Sequence, residues 1–271
     1  MTAAGASRVR QTFAACRARG RPALVTYVMG GDPDLPASLE LALACARGGA
    51  DLLEIGMPFS DPIADGPVIQ RASERSLKAG TTAAGCLELA ARLRRELPAT
   101  PLALMGYLNP VLAVGLDAFL GRCAEAGVDA VILPDLPVEE AGQAREIAAR
   151  RGVGLVFLIA PTSTPARARA ALDASTAFAY FVSVTGVTGA RAALPEETAA
   201  RLDELRRPAG PPVVVGFGVS TAEQVRALGA HADGVVVGSA IVSRAAEPGS
   251  TPERAARVEA FVRSLLPAAT P

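Results

Sequence analysis

The sequence predicts a single (β/α)8, or TIM, barrel over residues 1–271, with an extra N-terminal helix and extended loops after the second and sixth strands. Three observations predict it. Eight short runs are continuously apolar rather than alternating, as strands buried on both faces of a parallel sheet are. Helix-period stretches separate the runs. A length of 271 residues suits eight β/α units. A doubly wound open sheet is the alternative, and the lack of G-x-G-x-x-G after an early run counts against it.

The runs cover residues 24–29, 52–55, 102–106, 130–133, 155–159, 178–183, 212–217 and 234–238. After the first, Ser38-Leu39-Glu40 opens a helix with Leu39, Leu43 and Ala46 on one face, and Gly48-Gly49 closes it. The gap between the second and third runs is near 50 residues, against roughly 20 to 35 elsewhere. It holds a Pro/Gly/Asp-rich loop, 56–66, and helical stretches on either side of Gly80-Thr81. Loops that long are usually functional or disordered. Thr164-Pro165 reads as an N-cap with proline at the first helical position. Ser220-Thr221-Ala222-Glu223 reads as a capping box after the seventh run. A weak repeat, Gly49-Ala50-Asp51, Gly127-Val128-Asp129 and Ala232-Asp233, precedes three of the runs and marks helix-to-strand turns.

Composition limits the chemistry. The 27 basic and 27 acidic residues cancel, so there is no electrostatic case for nucleic acid or an acidic membrane. No apolar run reaches membrane-spanning length, and the first residues lack a secretory apolar stretch, so the cytosol is the expected compartment. Cys16, Cys45, Cys86 and Cys123 are widely spaced, lie in helical stretches and read as small buried hydrophobes. Lys78 is the single lysine and His231 the single histidine. One candidate exists for a lysine imine, and any metal site would be nearly all carboxylate, so no metal is expected.

In a barrel the chemistry sits where the strands end. The seventh run ends Gly216-Phe217-Gly218-Val219-Ser220 and the eighth Gly238-Ser239-Ala240. Glycine-flanked N–H groups at helix starts suit a phosphate; turn-making alone is the bland alternative. Glu54 lies inside an apolar strand, where an unpaired carboxylate is costly. Either its pKa is raised for acid–base work or a neighbouring hydroxyl or arginine satisfies it. In the loop that follows, Asp61 reads as an Asx-type turn before Pro62, while Asp65 stays ambiguous. The sixth run leads into a Gly/Thr-rich stretch, 183–191, that reads as a lid. Whether Tyr180 points inward depends on register. Arg191 reads as a solvated surface residue. Tyr27, Tyr107 and Asn109-Pro110 read as rim packing and turn formation.

Seven segments together resemble the tryptophan synthase alpha chain family: Glu54-Ile55-Gly56-Met57-Pro58-Phe59-Ser60-Asp61-Pro62-Ile63-Ala64-Asp65-Gly66-Pro67, Met105-Gly106-Tyr107-Leu108-Asn109-Pro110, Leu133-Pro134-Asp135-Leu136-Pro137, Ala160-Pro161-Thr162-Ser163, Ser183-Val184-Thr185-Gly186-Val187-Thr188-Gly189, Gly216-Phe217-Gly218-Val219-Ser220 and Gly238-Ser239-Ala240-Ile241-Val242. They occur in family order from about Tyr27 to Val242. The resemblance implies cleavage of indole-3-glycerol phosphate to indole and glyceraldehyde 3-phosphate, with Glu54 and Asp65 catalytic. It implies that Thr188 orders Asp65, and that phosphate lies against Gly189, Gly218, Gly238 and Ser239. Tyr27, where relatives often have Phe, and Met105 would form the indole pocket, with Tyr180 near Glu54. It implies no cofactor on this chain and a beta-chain partner holding pyridoxal phosphate, assembled as an alpha-beta-beta-alpha heterotetramer. The contact surface would include Pro58, Asp61, Asn109, Asp135 and Pro137.

The inventory agrees with a retro-aldol cleavage. One carboxyl of raised pKa can protonate indole carbon 3 and deprotonate the glycerol hydroxyl in turn. A second carboxylate can stabilise charge at the indole N–H, and the protonated indole is its own electron sink. Three rivals remain at this level: a stand-alone lyase releasing free indole, a regulatory subunit that binds without cleaving, and another phosphate-binding barrel.

Overall fold

A computed structural model describes residues 4–182, 194–207, 210–216 and 218–266 of the chain. In chain order its elements are α1 (Ala4–Ala18), β1 (Ala23–Met29), α2 (Leu35–Arg47), β2 (Leu52–Gly56), α3 (Pro67–Lys78), α4 (Ala83–Glu96), β3 (Leu102–Met105), α5 (Leu108–Val114), α6 (Leu116–Glu125), β4 (Ala130–Ile132), α7 (Gly142–Arg151), β5 (Gly154–Val156), β6 (Leu158–Ile159), α8 (Pro165–Ala174), β7 (Ala179–Val182), α9 (Glu196–Leu205), β8 (Val213–Gly216), α10 (Ala222–Gly229), β9 (Gly234–Val237), α11 (Ser239–Ala246) and α12 (Thr251–Leu265). Every predicted run contains a strand. The pairing order is β5-β4-β3-β2-β1-β9-β8-β7-β6, and all pairs are parallel.

The fifth predicted run differs in one respect: it is split into β5 and β6 at Phe157. There the amide donates to the Ser175 hydroxyl and the carbonyl accepts from the Tyr180 amide. One half pairs with β4 and the other with β7, so the split strand joins both edges of the sheet. The nine segments make eight staves of a closed (β/α)8 barrel.

Alternation along each strand separates two cores. Leu24, Val28, Leu53, Ile55 and Leu104 face the helices, while Val25, Leu52, Ala103, Ile132, Val156 and Val214 fill the axis. The predicted extra helix, α1, closes the floor, with Val9, Phe13 and Cys16 packed into the axial core. The three repeat aspartates sit at that end. Asp51, Asp129 and Asp233 accept the amides of Leu24, Leu102 and Val213 on the neighbouring strands, at 2.8, 2.8 and 2.9 Å. Arginines on or just after α1 reach all three: Arg21 to Asp51, Arg8 to Asp129 and Arg17 to Asp233. The repeat is therefore a set of floor clamps.

Three local expectations need correction. α2 begins at Leu35, not at Ser38, because Asp34 caps it through the Ala37 amide and Pro36 occupies its first turn. Ser38 instead accepts from the Gly31 amide inside the helix. The capping box of α10 is Thr221 with Gln224, one residue later than Ser220 with Glu223, because the Gln224 side chain reaches back to the Ser220 and Thr221 amides. The Asp61 turn is closed by its backbone carbonyl, which accepts from the Ile63 amide, while its carboxylate accepts from the Ser60 hydroxyl. Thr164 caps α8 as expected, and the four cysteines are buried in helices, their thiols pushed up to about 12 chiefly by burial. No helix among the described residues is long and apolar enough to cross a membrane.

Candidate active site

Glu54 occupies the middle of β2, beside Tyr27 of β1 in the parallel register. Leu52, two residues earlier, belongs to the axial core, so alternation turns Glu54 inward as well. It is 1% exposed, and its Oε2 has no hydrogen-bond partner. Among the described residues no arginine or hydroxyl bonds to that oxygen. Burial, and then the nearby Asp65 charge, push its carboxyl up to about 8. Glu54 is thus a neutral acid near pH 7.

Asp65 ends the long loop, just before Gly66 caps α3 and Pro67 opens it. Burial raises its carboxyl to about 6, against the opposing pull of the Tyr107 hydroxyl, which donates to Oδ2 at 3.1 Å. At pH 7 it is mostly ionised. The two carboxyls are held in different protonation states by their surroundings, an arrangement that favours division of acid and charge-stabilising roles.

Two tyrosines complete the wall. Tyr27 and Tyr180 are both pushed well above the ordinary phenol range, first by burial and then by the two carboxyls, so they remain hydroxyl donors. The register left open in the sequence turns Tyr180 inward, toward Glu54 and against the axial core. Neighbouring glycines make the room. A methyl group on Gly56 would stand 2.0 Å from the Tyr27 hydroxyl, and one on Gly216 would stand 2.5 Å from that of Tyr180. Met105, half-buried, joins Tyr27, Met29, Ile69, Ala72 and Val242 in an apolar cluster above the axis.

Gly218, at positive φ, and the Gly238-Ser239 start of α11 follow the paired strands β8 and β9. The two glycines thus follow neighbouring strands of the barrel. Thr188, Gly189, Arg191 and the rest of the predicted lid, 183–191, lie outside the described residues, as does Phe217.

The segments expected to meet a partner divide. Asp61 and Asn109 are exposed, and Asp135 and Pro137 half-buried. Pro58, expected at that surface, is buried. Ile63, Leu112 and Val114 are instead the large apolar side chains exposed on those segments. Sequence reasoning also missed Tyr107, read there as rim packing. Its ring stacks on Phe59 at 5.1 Å, and its hydroxyl bridges Asp65 and the Ala64 amide. Position after a strand was its single signal, because the bonded groups are far apart in sequence. Lys78 ends α3 on the exposed surface, and His231 pairs with Asp203 before β9, at the floor end.

These features define a class: a (β/α)8-barrel enzyme with a neutral acid inside one strand and an ionised carboxylate in the loop that follows it, near a cluster of apolar side chains and glycine-rich strand ends. A family model described as tryptophan synthase alpha chain matches residues 13–269. The tryptophan synthase alpha chain of Carboxydothermus hydrogenoformans is 50% identical over 236 residues, 87% of this chain and 88% of that one. The alpha chain of Geobacter sulfurreducens is 46% identical over 259 residues, 96% of this chain and 97% of its own. Among solved structures, tryptophan synthase from M. tuberculosis in its aminoacrylate-bound form superposes with a TM-score of 0.84 at 34% identity, covering 95% of this chain and 97% of that one. The alpha subunit from Legionella pneumophila str. Paris gives 0.85 at 32%, covering 95% and 96%.

The chain belongs to the tryptophan synthase alpha chain family. It is a carbon–carbon lyase that cleaves indole-3-glycerol phosphate, passing indole to a beta subunit. The pyridoxal phosphate of the paired reaction belongs to that beta subunit, and the alpha chain carries no cofactor.

Proposed function

We propose that Glu54 is the proton-transfer group of the cleavage and Asp65 the charge-stabilising one. The neutral Glu54 carboxyl protonates indole carbon 3, placing positive charge on the ring nitrogen. The resulting carboxylate takes the proton of the glycerol hydroxyl as the bond between the ring and that carbon breaks. The electron pair returns to the ring, an aldehyde forms, and Glu54 is neutral again. Ionised Asp65 accepts from the indole N–H and is worth most when that nitrogen carries charge. The observation that carries this reading is Glu54 itself: a carboxyl in a strand interior, pushed up to about 8 beside a second carboxyl.

Tyr27, Met105 and Tyr180 shape the indole pocket, supported by the apolar cluster and the inward tyrosines. Gly218, Gly238 and Ser239 hold the phosphate, supported by adjoining strand ends and the α11 N-terminus. Thr188 and Gly189 close the site over Asp65 and the phosphate, on the resemblance alone. The beta chain docks on Asp61, Asn109, Asp135 and Pro137 together with exposed Ile63 and Leu112, whose apolar surface supports that reading. Residues 1–271 act as one domain, in the cytoplasm.

Indole release from indole-3-glycerol phosphate, with the purified chain alone and with a beta chain added, tests this. Slow release alone and a large increase with the partner are expected. Fast release alone would make the chain a free lyase. No release in either case would overturn the assigned roles.

A further inference from the structure

We propose that Tyr107 is a positioning residue that carries contact with the partner chain to Asp65. This rests on the docking and Asp65 readings above. Tyr107 is 3% exposed, so it is no part of the surface itself. Yet all three docking segments meet at it. Its hydroxyl donates to Asp65 Oδ2 at 3.1 Å and accepts from the Ala64 amide at 3.0 Å, which ties it to the loop that exposes Ile63. Its backbone caps α5, the helix that exposes Leu112 and Val114. The next amide, Leu108, donates to both carboxylate oxygens of Asp135, at 2.9 and 3.0 Å, in the third segment.

The ring is held as firmly as the hydroxyl. It stacks on Phe59, with 27° between planes. Phe59 is fixed in turn by Ser73 of α3, whose buried hydroxyl accepts from its amide at 2.8 Å and donates to its carbonyl at 2.9 Å. A load applied to α5 or to the Asp135 segment therefore reaches the Asp65 carboxylate through one buried phenol, which also clamps the loop that carries Asp65. When a partner pins the segments, the phenol holds Asp65 in a single orientation. The groups facing Asp65 are the Glu54 carboxyl and the Tyr27, Tyr107 and Tyr180 hydroxyls, and Asp135 faces Tyr107. Of these, the described hydrogen bond to the Asp65 carboxylate comes from Tyr107, and it favours the ionised form.

Tyr107→Phe keeps the ring and removes the bridge. Steady-state cleavage of indole-3-glycerol phosphate is measured for this variant and for the wild-type chain, each alone and with a beta chain, across pH. The variant is expected to lose about tenfold in kcat in the complex with KM within about twofold, and to be enhanced less by the partner than the wild type. The acid limb of kcat/KM moves up by about one pH unit, since the carboxylate has lost its donor. Phe59→Leu, which loosens the ring and leaves the hydroxyl, is expected to give smaller changes of the same sign. A merely structural Tyr107 would lower the melting temperature without moving the acid limb. Wild-type enhancement and an unmoved acid limb in Tyr107→Phe would overturn the proposal. If the wild-type complex itself releases no indole, it is the reading of Asp65 that fails, and the coupling with it.

Discussion

Glu54 and Tyr27 stand side by side across β1 and β2, both turned to the barrel axis, with the carboxyl oxygen Oε2 of Glu54 left without a hydrogen-bond partner among the described residues. A buried polar atom without a partner is costly to the fold. In this position it is free to meet a ligand. Glu54→Gln keeps the shape and removes the titration. It is expected to lower kcat by about a thousandfold, the scale of general acid–base catalysis. Binding of a glycerol-phosphate analogue should stay within a few-fold of the wild type. Stopped-flow or coupled assays of indole release, beside calorimetric binding of the analogue, check the pair of outcomes.

The pH dependence follows from the two raised carboxyls. With the roles proposed above, activity needs Glu54 protonated and Asp65 ionised, so kcat/KM should be bell-shaped, with limbs near 6 and 8. Asp65→Asn should remove the acid limb and lower kcat far more than it weakens analogue binding. Stability runs the other way. Both groups have folded-state values above their ordinary ones, so their contribution is full below the ordinary carboxylate range and is lost as pH rises toward about 8. Glu54→Gln should therefore stabilise the chain by about 3 kcal/mol at pH 7 and flatten that decline. Urea midpoints at pH 5 and pH 8 measure it.

The floor clamps predict a stability effect at the opposite end of the barrel. Asp129 is 1% exposed and holds the Leu102 amide, Arg94 and Arg8 together. Asp129→Ala strands one buried amide and takes the counter-charge from two guanidinium groups, of which Arg94 keeps its bonds to backbone carbonyls. A loss of about 3 kcal/mol is expected, seen as a lower urea midpoint at unchanged slope. A loss below about 0.5 kcal/mol would mean that water replaces the carboxylate.

The exposed apolar residues of the docking segments predict a partner effect. Leu112 is 55% exposed on α5. Leu112→Asp should weaken beta-chain association at least about tenfold, the loss expected for one buried leucine side chain. Titration calorimetry with the beta chain is the measurement. An unchanged Kd would take α5 out of the interface.

Much of the site was legible because its signals are local. A carboxylate inside an apolar run, Glu54 in β2, stands out whatever the fold, because burial of a charge is costly wherever it occurs. The glycines at 218 and 238 follow strands and precede helices, and the helix caps at Thr164 and Thr221 depend on residues three apart. Errors at this level were small and had local causes: a proline and an aspartate that started α2 early, and a glutamine that reached one residue further than a glutamate.

What the sequence by itself determined, then, was the set of strands, the barrel class and the oddity of a carboxylate at Glu54 inside an apolar run, since each is written in spacing and polarity within a few residues; Asp65 stayed ambiguous there and was singled out by the family resemblance. Tertiary structure alone decided which groups meet. Tyr107 and Asp65 are 42 residues apart, and Arg8 and Asp129 are 121 apart. The inward turn of Tyr180, the split at Phe157 and the burial of Pro58 likewise depend on closure of the sheet. Closure sets the register of each strand and thereby the neighbours of every side chain, and those neighbours supply the burial and hydrogen bonds that separate the Glu54 and Asp65 pKa values.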